Sequence, residues 1–445
     1  MSDQTTDHGT GKWVADSAWT GSSLETGLVI EVEEGVITGL SSQPDPEAVR
    51  LPGIVVPGMV NAHSHAFHRL LRGKTHRQRG DFWLWREHMY QAASTLTPES
   101  YERVALAVFV EMALAGFTSV GEFHYLHHQA GGVPYQDPNE MGHAVIRAAR
   151  RAGIRICLLD TGYFTAGFGA GELHPVQTRF ADRSPAAWLD RAEALITEYQ
   201  DSDHVVVGLA PHSVRAVPEE GLAEVARGRR PGTPVHVHVS EQQAENAECL
   251  EATGLTPAGL LARNGLVDSD TTLIHATHVN QDDIETIGTA KATVCYCATT
   301  ERDLADGIGP AADLADAGAR LSVGSDSHAV IDPFEEMRGV EMHARLVTGR
   351  RGVFSPQTLL EAATTSGSRS LGFPFADIAV GSPADFIVID PDSPRLAGID
   401  TETALDTIVF SATSADVSGV FVSGMRIVED GRHRLWDDAR EALIP

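Results

Sequence analysis

Only three lysines, Lys12, Lys74 and Lys291, and four cysteines occur in the 445 residues. No stretch approaches the roughly 18 consecutive apolar residues of a membrane span. The scarcity of cysteine excludes a disulfide-stapled scaffold. Cys157, Cys249, Cys295 and Cys297 have no framework spacing, and Cys295-x-Cys297 lies on an apolar segment where reduced core thiols are the ordinary reading. That implies a reducing compartment. The N-terminal stretch Met1–His8 is polar, without the apolar core of a secretory signal, so a cytoplasmic protein is expected. Basic charge is short as well: Lys plus Arg is 34 against Asp plus Glu at 61, a formal net charge of −27. Such a field argues against nucleic acid or an anionic membrane as partner. It also repels a small anionic substrate, so a site for one needs local arginines.

What the chain does have is length and a regular alternation of elements. It is long enough for one barrel of roughly 250 to 300 residues with a smaller domain attached. Residues 1–57 read as β, with a hairpin over Leu28–Leu40 that turns at Glu34-Gly35. From 58 to 375, short β-branched strands alternate with helices. Thr97-Pro98, Ser184-Pro185, Thr256-Pro257 and Ser355-Pro356 each place a capping hydroxyl before a proline at the first helical position. Gly116 and Gly153 close helices. The strands read as Val55–Ala62, Phe117–Glu122, Arg155–Gly162, Val205–Pro211, Val235–Val239, Thr272–Ala276, Thr293–Cys297 and Leu321–Gly324. Eight of them predict a (β/α)8 barrel. Residues 376–445 return to β and should complete, with the N-terminal segment, one small β domain.

Histidines and acids sit at the C-terminal ends of these strands, where such barrels place chemistry. His63 and His65 end an apolar strand two residues apart, so both side chains point the same way and can share one divalent metal. A lone His-x-His also arises by chance; here His238, His275 and Asp326 end three further strands. Three imidazoles and one carboxylate suit Zn²⁺, or Fe²⁺ less specifically, with a position left for water whose pKa the metal lowers. Glu241, three residues after His238, can carry a proton from that water to a leaving nitrogen. His275 is a second polar group that orients water or substrate, with His278 as its rival.

These segments, Pro57-Gly58-Met59-Val60-Asn61-Ala62-His63-Ser64-His65, His238-Val239-Ser240-Glu241, Ile274-His275-Ala276-Thr277-His278, Gly324-Ser325-Asp326-Ser327-His328 and Gly381–Asp390, resemble the amidohydrolase superfamily along nearly the whole chain. Binuclear members use a carbamylated lysine on the fourth strand, and none of the three lysines lies near Val205–Pro211. The resemblance therefore implies one metal on His63, His65, His238 and Asp326, with Glu241, His275 and Asp326 catalytic. The segments 82–87, 122–128, 167–169, 209–217 and 241–243 are similar to the formimidoylglutamate deiminase family. That likeness implies hydrolysis of N-formimidoyl-L-glutamate to N-formyl-L-glutamate and ammonia in histidine degradation, by a homodimer, with Arg86, Tyr125, His212 and Arg215 as substrate contacts. Two departures stand out. His68 occupies a substrate-contact position where that family usually has Gln, and the loop 297–307 differs between its Thr-Thr-Glu and Asp-Gly positions. A purine-type aminohydrolase, such as a guanine or S-adenosylhomocysteine deaminase, is the alternative; its neutral ring calls for stacking and amides rather than two arginines. A metal-free binding scaffold is disfavoured by the intact ligand set.

Overall fold

The computed structural model describes residues 8–75, 82–169, 171–374 and 377–444. The polar tail before His8 and the boundary expected between 375 and 376 lie outside the described residues. Eight parallel strands form the barrel: β1 (Met59–Ser64), β2 (Phe117–His124), β3 (Arg155–Gly162), β4 (Val205–Pro211), β5 (Val235–Val239), β6 (Thr271–His275), β7 (Thr293–Tyr296) and β8 (Arg320–Val323). Most are buried along their whole length, as a sheet covered on both faces requires. The ring is thinnest at two seams. Between β4 and β5 the pairing is Leu209 with Val235, plus a bridge from Ser213 to His238. Between β1 and β8 a single bridge joins Ser64 to Asp326, with Asp326 N donating to His63 O at 3.0 Å.

Helices pack around the barrel, and their starts follow the local chemistry. Thr97, Ser184, Thr256 and Ser355 each accept from the backbone N–H three residues on, ahead of a proline. Gly116 and Gly153 end their helices at φ 101° and 84°, a region that favours glycine. The helix Glu140–Ala152 shows the packing logic: Met141, Val145, Ala148, Ala149 and Ala152 are buried, and Arg147 and Arg151 reach outward to Glu102.

A second sheet of eight strands comes from both chain ends. Its order is Arg432–His433, Met425–Glu429, Val417–Val422, Phe386–Ile389, Val49–Pro57, Gly11–Trp19, Leu24–Glu33 and Val36–Ser41. The hairpin turn at Glu34 and Gly35 has φ of 47° and 78°, the left-handed geometry of a tight two-residue turn.

The apolar run expected as one strand, Val55–Ala62, is two. Val49–Pro57 belongs to the outer sheet, where Pro57 faces Phe386, and the barrel strand begins at Met59 opposite Phe117. Gly58 makes the handover. Its N–H donates to the Asp385 carbonyl at 3.0 Å, and a Cβ there would sit 2.4 Å from the Thr118 side chain. Small shifts occur elsewhere: β2 runs on to His124, and Ala276, Cys297 and Gly324 fall just beyond their strands.

Beneath the barrel, Arg155 at the start of β3 grips Asp385 with Nε at 2.6 Å and Nη2 at 3.2 Å, both residues being buried. This bidentate pair fixes the outer sheet against the barrel. All four cysteines are buried free thiols. No helix among the described residues is long and apolar enough to cross a membrane.

Candidate active site

The ends of β1, β5 and β6 and the turn after β8 meet at one rim of the barrel. The chain there adopts backbone conformations that side chains resist: Ser240, His275, Ala276, Asp326 and His328 all have positive φ, between 42° and 69°. Such strain persists where surrounding structure holds a residue for a purpose. His275 and Asp326 are among these residues, and both line the pocket.

His63 Nε2 lies 3.2 Å from His238 Nε2 and 3.4 Å from Asp326 Oδ1, and His65 Nε2 is also 3.4 Å from that oxygen. Two outer contacts fix the tautomers. His65 Nδ1–H donates to the Phe123 carbonyl at 3.0 Å, and His238 Nδ1–H donates to the His212 carbonyl at 2.9 Å. Both Nε2 atoms therefore present bare lone pairs. Burial, the largest influence, holds His63, His65 and His238 in the neutral form. Burial would raise the Asp326 carboxyl, but the hydrogen bond from His63 and the positive charge of His275 outweigh it and hold it well below the usual carboxylate range. A proton on His63 Nε2 serves one neighbour at a time, leaving other lone pairs facing each other in a dry site. One divalent cation satisfies all four, so the donor set fits a metal.

His275 stands beside this group. Its Nε2 is 3.8 Å from Asp326 Oδ2 and 4.0 Å from Glu241 Oε1, and its Nδ1 contacts Glu301 Oε1 at 3.3 Å. Burial alone would keep His275 neutral; Glu241, Glu301 and Asp326 outweigh that and raise its pKa well above the usual value. Burial also raises Glu241, so its carboxyl holds a proton more readily than an exposed one. Glu301, which accepts from Cys297 N at 2.9 Å as well, was not read as a site residue from the sequence. Cys297 approaches His275 and Asp326, yet burial keeps its thiol protonated and a poor ligand. His278 is not part of the cluster; its ring bonds the Asp306 carbonyl at 2.8 Å.

A pocket opens above these groups. His65, His238, Glu241, His275 and Asp326 form its floor, while His68, Arg86, Tyr125, His212 and Arg215 line its wall. Every substrate contact expected from the sequence is thus brought together. The side chains of residues 82–84 lie outside the described residues. Tyr125 Oη is 2.7 Å from His68 Nε2, and burial pushes His68 down to about 3, so this imidazole is neutral. His212 is likewise pushed down to about 3, by burial and then by Arg215. Arg215 Nε lies 3.4 Å from the buried carboxylate of Glu245. The Arg86 guanidinium lies 5.6 Å from the centre of the Tyr90 ring. Trp85, Tyr90, Tyr163 and Phe180 add aromatic surface. Of these, Tyr90, Tyr163, Phe180 and Glu245 had no signal in the sequence, since each comes from a different loop or helix.

The sequence pattern of the amidohydrolase family matches residues 54–427. The chain belongs to the amidohydrolase family. Among curated amidohydrolase relatives, a formimidoylglutamate deiminase from Pseudomonas aeruginosa is 37% identical over 422 residues, covering 92% of this chain and 93% of its own. A 5-methylthioadenosine/S-adenosylhomocysteine deaminase from Halobacterium salinarum is 28% identical over 420 residues, covering 93% and 90%. The crystal structure of an amidohydrolase from Brucella melitensis superposes with a TM-score of 0.91 at 35% identity, covering 97% of this chain and 98% of that one.

Proposed function

We propose that this amidohydrolase is a zinc-dependent formimidoylglutamate deiminase, converting N-formimidoyl-L-glutamate and water to N-formyl-L-glutamate and ammonia. The observation that carries the reading is that Arg86 and Arg215 line the same pocket as His65, His238 and Asp326, the donors that His63 joins from behind. In a chain of net charge −27, cations are placed where a dicarboxylate needs them. The curated relative at 37% identity carries the same activity in its name. The setting proposed is cytoplasmic histidine degradation by a homodimer.

His63, His65, His238 and Asp326 would hold Zn²⁺, which when bound acts as a Lewis acid and makes water nucleophilic at neutral pH. The Glu241 carboxylate takes the proton released as water adds to the planar formimidoyl carbon. It delivers that proton to the terminal imino nitrogen, then carries the second proton from the added hydroxyl to the same nitrogen, so the carbonyl forms as the carbon–nitrogen bond breaks and ammonia departs rather than an amide anion. His275, steadied through Nδ1 by Glu301, orients the attacking oxygen with its other nitrogen. Arg86 and Arg215 bind the glutamate carboxylates, and His68, Tyr125 and His212 complete the wall as neutral hydrogen-bonding groups.

Among the described residues, the aromatic side chains Trp85, Tyr90, Tyr125, Tyr163 and Phe180 line the pocket and are what a stacked ring would use. They support a purine-type aminohydrolase as the second reading. Ammonia release from N-formimidoyl-L-glutamate, its aspartate homologue, guanine and S-adenosylhomocysteine decides. The formimidoyl amino acids should turn over and the rings should not; the reverse pattern removes the proposal.

Metal content is a separate expectation. Purified protein should hold about one zinc per chain, lose turnover on exhaustive chelation and regain it with added Zn²⁺. Two tightly held metals, both needed for activity, would overturn the single-metal reading.

A further inference from the structure

Behind the donor set runs a second line of polar side chains. Asn61, Ser64, Glu122, Ser325 and His328 are all fully buried, at 0% exposure. Asn61 Nδ2 donates to Ser325 Oγ at 2.6 Å, and Asn61 Oδ1 accepts from Ser325 N at 3.0 Å. Ser325 Oγ lies 3.0 Å from His328 Nδ1, His328 Nε2 lies 3.1 Å from Ser64 Oγ, and Ser64 Oγ donates to Glu122 Oε2 at 2.5 Å. The other Glu122 oxygen accepts from Ala66 N at 2.7 Å.

These contacts fit one consistent direction. Ser64 donates to Glu122 and accepts from His328 Nε2–H, the direction that also gives the Ser325 hydroxyl an acceptor. His328 Nδ1 is then a lone pair and accepts from the Ser325 hydroxyl. Each serine hydroxyl in the line donates once and accepts once, and each His328 nitrogen has one partner, an arrangement that tolerates little displacement.

The line crosses the place where the barrel is weakest. β1 and β8 share one bridge, Ser64 with Asp326, and the metal donors alternate with the line's members: His63 and His65 flank Ser64, and Asp326 follows Ser325. Two ties join these ends, the direct Asn61–Ser325 bonds and the His328 ring, which links Ser325 to Ser64 and is held at φ 59°.

We infer that the line Asn61, Ser325, His328, Ser64 and Glu122 is a clasp that sets the spacing between the metal donors of β1 and the donor following β8, with His328 as its positioning residue. The inference rests on the metal-site reading above and adds to it a residue that ligates nothing and touches no substrate. Outer contacts of this kind change metal affinity by about 10–100-fold.

The test is the zinc dissociation constant of the full-length protein, measured by competition with a chromophoric chelator, for wild type and His328→Asn. Asparagine tolerates positive φ but is too short to bridge both serines. The expected result is a dissociation constant raised by about 10–100-fold, with altered ligand-field bands in the Co²⁺-substituted protein. Ser325→Ala, which removes one hydroxyl, should act in the same direction and serves if His328→Asn fails to fold. A lowered Tm of the metal-free variants with unchanged zinc affinity and unchanged Co²⁺ spectrum would mean a merely structural role and overturn the clasp. Wild type that binds no zinc in this assay would instead overturn the metal-site reading.

Discussion

Glu241→Gln should lower kcat by about 10²–10⁴-fold while zinc content stays at the wild-type level. The amide keeps the volume of the side chain and most of its hydrogen-bonding capacity, and loses only the ability to take and return a proton. Glu241 is suited to that task by position. It follows His238 by three residues at the mouth of β5 and lies 4.0 Å from His275 Nε2. Burial raises its pKa, which brings its proton affinity nearer to working pH. Because Glu241 is not among the four metal donors, metal analysis and kcat separate cleanly. A metal-replete variant with near wild-type kcat would show that the proton travels by another route.

The second large effect is expected at the anionic end of the substrate. Arg215→Met should lower kcat/KM for N-formimidoyl-L-glutamate by about 10–100-fold, since a charge-assisted hydrogen bond contributes roughly 1.5–3 kcal/mol and about 1.36 kcal/mol is one decade. The Arg215 side chain is 24% exposed, so solvent only partly screens it. Arg215→Lys should recover a part, because an ammonium cannot present the planar fork of a guanidinium. An uncharged formimidoyl amine should lose little, and that contrast separates carboxylate binding from a general disturbance. The neighbouring Glu245 complicates a simple reading: removing Arg215 strands a buried carboxylate 2% exposed. The double variant Arg215→Met, Glu245→Gln removes that charge and should show the same substrate selectivity. Equal losses on charged and uncharged substrates would rule out Arg215 as the clamp and strengthen the ring-substrate reading.

The gathering of His63, His65, His238, His275 and Asp326 was legible in the sequence because each lies at or just past the end of a short apolar strand. In a barrel of parallel strands all such ends share one rim. Glu241 was legible through its offset from His238. Glu301, Glu245 and His328 were not, because they meet their partners across elements, and sequence spacing carries no record of contacts between a loop and a neighbouring strand. The boundary at Gly58 was hidden for another reason. Residues on both sides of it are buried and apolar, so the run through Val55, Val56, Met59 and Val60 has no change of pattern to mark a change of sheet. The close approach to Thr118 that requires glycine there is visible only in three dimensions.

The passage of one chain segment through Gly58 from sheet to sheet also sets how mutations in the outer sheet are felt at the rim. Pro57 is registered against Phe386, and five residues after Gly58 stands His63. No loop lies between them to absorb slack. The pairing of this strand with β2 already shifts register after Met59 and between Asn61 and Ser64, so a further insertion or deletion before His63 is expected to turn both histidines away from the barrel axis. Point substitutions in this stretch can be tolerated according to size, whereas changes in length cannot. The outer sheet therefore serves as the ruler from which the first two donors are measured, although none of its own side chains lines the pocket.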